Sequence, residues 1–378
     1  MNAFLDAARE GESLIRDAAR GFVAARHSMQ RVRQMRTTET GYSRGVWAAL
    51  AEAGWLGLRV PESQGGAGLG IAEAALLCEV FGEALLPEPF IACGLIPPLL
   101  VAGSPPSLLR DRLLPGVMSG SSILTLAWQE APLHFEADRC KTVLSATAGE
   151  LRLNGTKRFV ASGVGSDGYL VTCLRGGQFA LAHVPGGGAG LSVRGQRQLD
   201  GSVCADIDFR DVALTADGVL AEGEKSQALV SATVAEATLA VCATLTAVAR
   251  RALTMSVDYM GKRVQFGKPI GSFQALQHRA VDLAVRCALA EAAMRRAVEE
   301  LAAGSARAAA DVSAAKAICS RTATLVTRTA IQLHGGIGYT DEADIGLYLK
   351  SALRFAAYLG IAQAHRARFM VLKQSTEQ

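Results

Sequence analysis

Residues 263–274 read Arg-Val-Gln-Phe-Gly-Lys-Pro-Ile-Gly-Ser-Phe-Gln, and residues 332–338 read Gln-Leu-His-Gly-Gly-Ile-Gly. Each combines hydrogen-bond donors with glycines that let the backbone come close to a ligand. Arg263 offers a planar fork that can hold a phosphate in two places. Gly267 and Gly271 permit tight turns on either side of Pro269. Gln274 can hydrogen-bond a cofactor oxygen, and Gly335 and Gly336 leave backbone uncovered. Alone, Arg263 reads as a helix-end charge and Gly335-Gly336 as a helix cap. Two such segments at helix ends of one chain read together as a grip on a phosphate-bearing cofactor.

Working outward, the sequence has three textures. Residues 1–117 carry helical periodicity: Leu14, Ile15, Ala18 and Phe22 recur at helical spacing, and Ile71–Leu85 is a helix stopped by Pro87 and Pro89. Residues 118–225 break into short apolar runs separated by Gly, Asp and Ser, as in a small β-barrel or sandwich. Leu151–Asn154 and Arg158–Ala161 read as separate strands, Asn154-Gly155 as a hairpin turn, and Pro185-Gly186-Gly187-Gly188 as a loop. Residues 226–378 are alanine-rich, with long helices expected over Ala228–Val257, Leu276–Ala302 and Ala309–Leu333. Helices this long and apolar build a bundle. The expected fold is α+β: an N-terminal helical domain, a middle β-barrel domain and a C-terminal four-helix bundle.

The 378 residues carry a formal net charge of +4, and no basic block is interleaved with aromatics, which argues against nucleic acid. Eight scattered cysteines with no C-x-x-C pair suit a reduced, cytoplasmic protein. The histidines show no metal-ligand spacing. Asp6, Glu10 and Glu12 argue against a secretory signal, and the five prolines of Pro89–Leu109 argue against a membrane helix there.

The chain resembles the acyl-CoA dehydrogenase family over nearly its whole length. The two opening segments match its flavin-diphosphate motifs. Gly54-Trp55-Leu56-Gly57, Val60-Pro61-Glu62 and Gly65-Gly66 match its N-terminal domain, and Gly155-Thr156-Lys157 and Leu199-Asp200-Gly201 match its β-domain. The similarity is greatest to its pimeloyl-CoA dehydrogenase small-subunit-like branch. The resemblance implies bound FAD, α,β-desaturation of an acyl thioester carried by CoA or a carrier protein, and a dimer or tetramer. Arg263, Phe266, Gln274, Gln332, Gly335 and Gly336 would bind FAD, the diphosphate grip serving a neighbouring subunit. Gln129, from Leu126–Glu130, and Phe159, Ala161 and Ser162 would face the flavin ring. Relatives carry Thr or Ser at the position of Gln129 and Thr at that of Ala161. The electron acceptor would be an electron-transfer flavoprotein.

The family's reaction needs a carboxylate against the thioester α-carbon. General base catalysis contributes roughly 10²–10⁴-fold in rate. The usual position aligns with Leu359, and the alternative two residues on is Ile361. A third location, twenty-six residues before Arg263, is Ala237. Glu236 stands beside it, turned by roughly 100° on a helix. Glu236 is therefore the candidate base, while the Leu359 backbone N–H can still polarise a thioester. Two other readings follow from the missing base. One is a base-deficient subunit of a heteromeric dehydrogenase; the other is a repurposed flavin oxidase or monooxygenase. Asp341, Glu342 and Asp344 read as acids at a helix N-terminus.

Overall fold

The computed structural model describes residues 2–376 apart from 134, 138, 148, 149 and 216. Six helices come first: α1 (Asn2–Arg26), α2 (Met29–Met35), α3 (Arg44–Glu52), α4 (Ile71–Ala84), α5 (Ile96–Gly103) and α6 (Leu108–Ser119). Eight strands follow: β1 (Leu124–Ala127), β2 (Val143–Thr147), β3 (Glu150–Ala161), β4 (Gly168–Arg175), β5 (Gln178–Pro185), β6 (Leu191–Arg197), β7 (Val203–Leu214) and β8 (Val219–Glu222). The chain ends in α7 (Gly223–Lys262), a small ribbon of β9 (Val264–Gln265) and β10 (Lys268–Pro269), then α8 (Gln274–Ala302), α9 (Ala308–His334), α10 (Ile345–Ala357) and α11 (Ala362–Thr376). The fold is thus a helical N-terminal part, a sheet part and a helical C-terminal part.

Two compact units divide these elements. The first comprises Met1–Arg33, Ile71–Leu86 and Thr238–Gln378; the second comprises Gln34–Gly70 and Pro87–Ala237. In the first, α9 packs against α8, α10 and α11. The middle of α7 is buried nearly all round: Leu239, Val241, Leu245 and Val248 are wholly buried. A helix apolar on every face belongs inside a bundle. Gly82 of α4 lies so close to α7 that a Cβ there would stand 2.9 Å from the Thr244 carbonyl.

In the second unit the strands run in the order β6-β7-β3-β2-β4-β5-β8, with β1 pairing to β4 in parallel. The path has ends, β6 and β8, and β6 is largely exposed, with polar side chains such as Arg194, Gln196 and Arg197. Leu144, Leu153, Val171, Ala182, Ile207 and Phe209 build the core on this sheet. Phe90–Leu95, a π-helical turn, and α5 are buried here too. Pro97 and Pro98 sit in the first turn of α5, where no N–H is missed.

One sequence expectation fails informatively. Asn154-Gly155 is not a turn but lies inside the twelve-residue β3, so the two expected strands are one. Gly155 has φ 151°, and the pairing with β7 shifts register between Leu153 and Gly155, the mark of a bulge. Asn154 serves the bulge: its side chain donates to Asp211 Oδ1 at 2.8 Å and accepts from the Asp211 N–H at 2.9 Å.

Candidate functional site

The first opening segment forms a hairpin. Gln265 pairs with Lys268 and Val264 with Pro269, so Phe266-Gly267 is a two-residue turn. Its φ angles are 53° and 76°, both left-handed, as such turns require. Phe266 is 91% exposed at the tip, its ring edge-on to Phe273 with centroids 6.1 Å apart. The Arg263 N–H donates to the Tyr259 carbonyl and the Arg263 carbonyl accepts from the Ile270 N–H, which closes the base of the hairpin. The Arg263 guanidinium is exposed and bonded to no described residue. Gln274, at the start of α8, is exposed as well.

The second segment lies at the far end of α9. His334 stacks on Tyr259, ring centroids 4.6 Å apart and 22° between planes. That stack joins the two segments, since Tyr259 precedes Arg263 by one helical turn and His334 precedes Gly335 directly. His334 Nδ1 bonds the Ala330 carbonyl at 2.8 Å, which fixes the ring. Gly335 has φ 64° and ψ −143°, a conformation essentially reserved for glycine. A Cβ on Gly336 would meet nothing within 4 Å, so backbone is open there. An unpaired guanidinium, the exposed amides of Gln274 and Gln332, and two uncovered glycines form a donor set that fits the diphosphate of a dinucleotide such as FAD. The stack itself was not read from the sequence. The only signal was a Tyr one turn before Arg263 and a His beside the glycine pair.

The two strand segments also lie together. The Arg158 N–H donates to the Gln129 carbonyl at 2.7 Å, and Thr125 Oγ1 donates to the Ala161 carbonyl at 2.7 Å. Phe159 and Ser162 are both left-handed, with φ 53° and 54°, and β3 loses register with β7 between Lys157 and Val160. Non-glycine residues seldom adopt this conformation. The Phe159 N–H donates to the Asp206 carboxylate at 3.2 Å, and the Ser162 N–H to the Val203 carbonyl at 2.9 Å. Phe159 is 41% exposed, Ala161 half-buried and Ser162 buried. Gln129, half-buried, spends its side-chain N–H on the Ala131 carbonyl.

Beneath these segments lies a buried ion pair. Lys157 is wholly buried, and its Nζ donates to Glu130 Oε1 at 2.8 Å, Thr172 Oγ1 at 3.0 Å and the Trp128 carbonyl at 3.3 Å. Glu130 also accepts from the Lys141 and Thr142 N–H groups and from Thr142 Oγ1. Burial pushes the Lys157 ammonium below its ordinary range, against the pull of Glu130. Burial alone would raise Glu130, but the Lys157 charge and the hydrogen bonds from Lys157 and Thr142 hold it below. The pair ties Trp128 and Glu130 to β3. Sequence reading picked out Gly155-Thr156-Lys157 but not its partner Glu130.

Leu359, which the sequence aligns with the family's usual base position, is 5% exposed and left-handed with φ 58°. It follows α10 in a turn closed by the Gly360 N–H on the Ala357 carbonyl. The Leu359 N–H donates to no described residue. Glu236, on α7, is gripped by Arg59, whose Nε and Nη2 donate to the two carboxylate oxygens at 3.0 and 2.9 Å. The acids before α10 do not all serve the helix end: Asp344 accepts from Arg33 Nη1 at 2.8 Å, while Arg33 also holds the Asp341 carbonyl.

Known proteins match this chain in sequence and fold. Residues 9–121 match the acyl-CoA dehydrogenase N-terminal domain, and residues 228–370 the acyl-CoA dehydrogenase C-terminal domain. The chain is 30% identical over 347 residues to acyl-CoA dehydrogenase IpdE2 of Mycobacterium tuberculosis, covering 91% of each. It is 28% identical over 339 residues to acryloyl-CoA reductase (NADH) of Anaerotignum propionicum, covering 84% of this chain and 83% of that one. A solved Tcur3481-Tcur3483 steroid ACAD variant superposes with a TM-score of 0.87 at 28% identity, over 97% of this chain and 99% of that one. With its helical N-terminal part, sheet part and helical C-terminal part, the chain belongs to the acyl-CoA dehydrogenase family and is an FAD-dependent oxidoreductase of that type.

Proposed function

We propose that this chain takes part in the α,β-desaturation of an acyl thioester, within a hetero-oligomer whose second subunit carries the proton-accepting carboxylate. One observation carries the reading: Arg263, Gln274 and Gln332 are exposed with side chains bonded to no described residue, whereas Leu359, aligned by sequence with the base position, is buried with an N–H that no described residue accepts. Arg263, Gln274, Gln332 and the Gly335-Gly336 backbone would hold FAD across a subunit boundary. Phe159, Ala161, Ser162 and Gln129 would line the ring. When bound, FAD supplies the acceptor for the β-hydrogen as hydride. The Leu359 N–H donates to the thioester oxygen and makes the α-proton more acidic. The α-proton then passes to the partner's carboxylate. The two-chain name of the Tcur3481-Tcur3483 relative supports a hetero-oligomer. The eight free thiols suit a reducing cytoplasm, and an electron-transfer flavoprotein is the acceptor proposed for the reduced flavin.

Co-expression with other acyl-CoA dehydrogenase chains of its own cell tests this. The expected result is a co-purifying yellow complex whose flavin absorbance bleaches with one member of an acyl-CoA panel, and which loses flavin in Arg263→Ala. A homo-oligomer that bleaches equally well, and stops doing so in Glu236→Gln, would return the base to Glu236. Reduced flavin that consumes oxygen rapidly would favour an oxidase instead.

A further inference from the structure

The turn that carries Leu359 is held from within by two buried side chains. Lys316, on α9, is wholly buried. Its Nζ donates to the Phe355 carbonyl at 3.0 Å, the Ala356 carbonyl at 3.1 Å and Ser320 Oγ at 3.1 Å. An ammonium has three N–H groups, and all three are used. The two carbonyls belong to the last turn of α10, where four acceptors lack helical partners and the helix dipole favours a cation. Burial pushes Lys316 down to about 8, so it remains mostly charged at neutral pH.

His365, on α11, closes the other side. Its Nε2 bonds the Leu359 carbonyl at 2.9 Å. A carbonyl only accepts, so Nε2 carries the proton and Nδ1 a lone pair. Nδ1 is buried without a partner. Burial and the nearby Lys316 charge lower His365 to about 4, which keeps the ring neutral and leaves it a poor proton acceptor. One clamp therefore acts before Leu359 and one after it, on either side of the free N–H. A left-handed leucine is disfavoured by roughly 1–2 kcal/mol, so the conformation needs such support.

We propose that Lys316 and His365 are positioning residues that clamp the turn over residues 355–361 so that the Leu359 N–H stays left-handed, unpaired and available to the thioester oxygen. This rests on the desaturation reading above. The function of the clamp is to orient a donor, and neither side chain touches the reacting atoms.

The test uses the FAD-loaded assembly and the variants Lys316→Met, His365→Phe and His365→Gln. Hydrogen exchange is followed in the peptide spanning residues 354–364. Lys316→Met and His365→Phe are expected to speed its exchange at least tenfold. His365→Gln, which keeps a donor and a smaller volume, should stay within about threefold of the parent. With the acyl-CoA that bleaches the parent, the bleaching rate at saturation should fall tenfold or more in the first two variants. Half-saturation and flavin content should change less than twofold. Unchanged exchange in both loss variants overturns the proposal, as does a loosened turn with an unchanged bleaching rate. If no thioester bleaches the parent, the desaturation reading has failed instead, and the exchange result alone decides whether the turn is clamped.

Discussion

Arg59 holds Glu236 by both carboxylate oxygens and donates its remaining terminal nitrogen to the Leu69 carbonyl. The two side chains are only 20% and 18% exposed. A two-pronged pair sheltered to this degree stabilises the ionised carboxylate and engages both its oxygens, which makes it a poorer acceptor for a substrate proton. The geometry therefore favours a structural role for the residue that sequence alone nominates as base.

A double-mutant cycle on Arg59→Met and Glu236→Gln should separate the two roles. The pair lies between exposed pairs, worth about 0–1 kcal/mol, and buried ones, whose rupture costs about 3–5 kcal/mol. Each single change is expected to lower urea stability by about 1–3 kcal/mol, with a coupling of about 1 kcal/mol or more. Flavin bleaching in the assembly should change less than threefold in Glu236→Gln. Coupling near zero, or a hundredfold slower bleaching in a stable Glu236→Gln, would refute the structural assignment.

Leu359→Glu should restore a base. Leucine already occupies a left-handed position, so glutamate faces the same backbone demand. Its carboxylate would enter a site where leucine is 5% exposed, with an expected stability loss on the order of 1–3 kcal/mol. In return, flavin bleaching by a suitable acyl-CoA, measured on the chain without a partner, should accelerate by about 10²–10⁴-fold. A well-folded, flavin-loaded Leu359→Glu no faster than the parent would mean that this turn does not face the α-carbon.

Gly155→Ala probes the bulge that resembled a turn in sequence. A Cβ at this position would stand 2.5 Å from Thr142 Oγ1 and 2.8 Å from Thr142 Cα. Thr142 cannot easily yield, because it donates to Glu130 through both its N–H and its hydroxyl. The substitution is expected to cost about 2 kcal/mol or more, by overpacking together with an unfavourable φ. It should also disturb Lys157 through their shared partner Glu130. Thermal melts that move by less than about 2 °C would contradict this close packing.

How far the sequence could be read follows from the physics of each feature. The long helices were legible because periodicity is local: the expected Leu276–Ala302 and Ala309–Leu333 became Gln274–Ala302 and Ala308–His334. Arg263, Gln274 and Gln332 could be nominated as phosphate and cofactor donors because that chemistry is carried by residue type, and all three are exposed. What escaped were relations across long separations. Arg59 and Glu236 are 177 positions apart, and nothing in either neighbourhood names the other. The left-handed backbones at Phe159, Ser162 and Leu359 escaped as well, since only glycine advertises positive φ. Asn154-Gly155 misled because a bulge and a two-residue turn call for the same residues.

Two histidines, His365 buried and His183 half-buried, make stability depend on pH. Burial lowers His365 to about 4, and burial with the nearby Arg112 charge lowers His183 to about 4. In an unfolded chain both would titrate near 6.5. Between these values the unfolded chain binds more protons than the folded one, so the stability these two histidines contribute is whole above pH 6.5 and is lost as the pH drops toward 4. By pH 5 each histidine is expected to remove on the order of 2 kcal/mol. Glu130 and Asp208, held below the ordinary carboxylate range, contribute to acid loss only lower down, so the interval from pH 7 to 5 isolates the imidazoles. Urea midpoints should decline across it, and His365→Gln, which cannot titrate, should flatten that decline relative to the parent. Parallel curves for parent and variant would show that the ring beside Leu359 is not held neutral by burial, and the clamp on the turn would then need another donor.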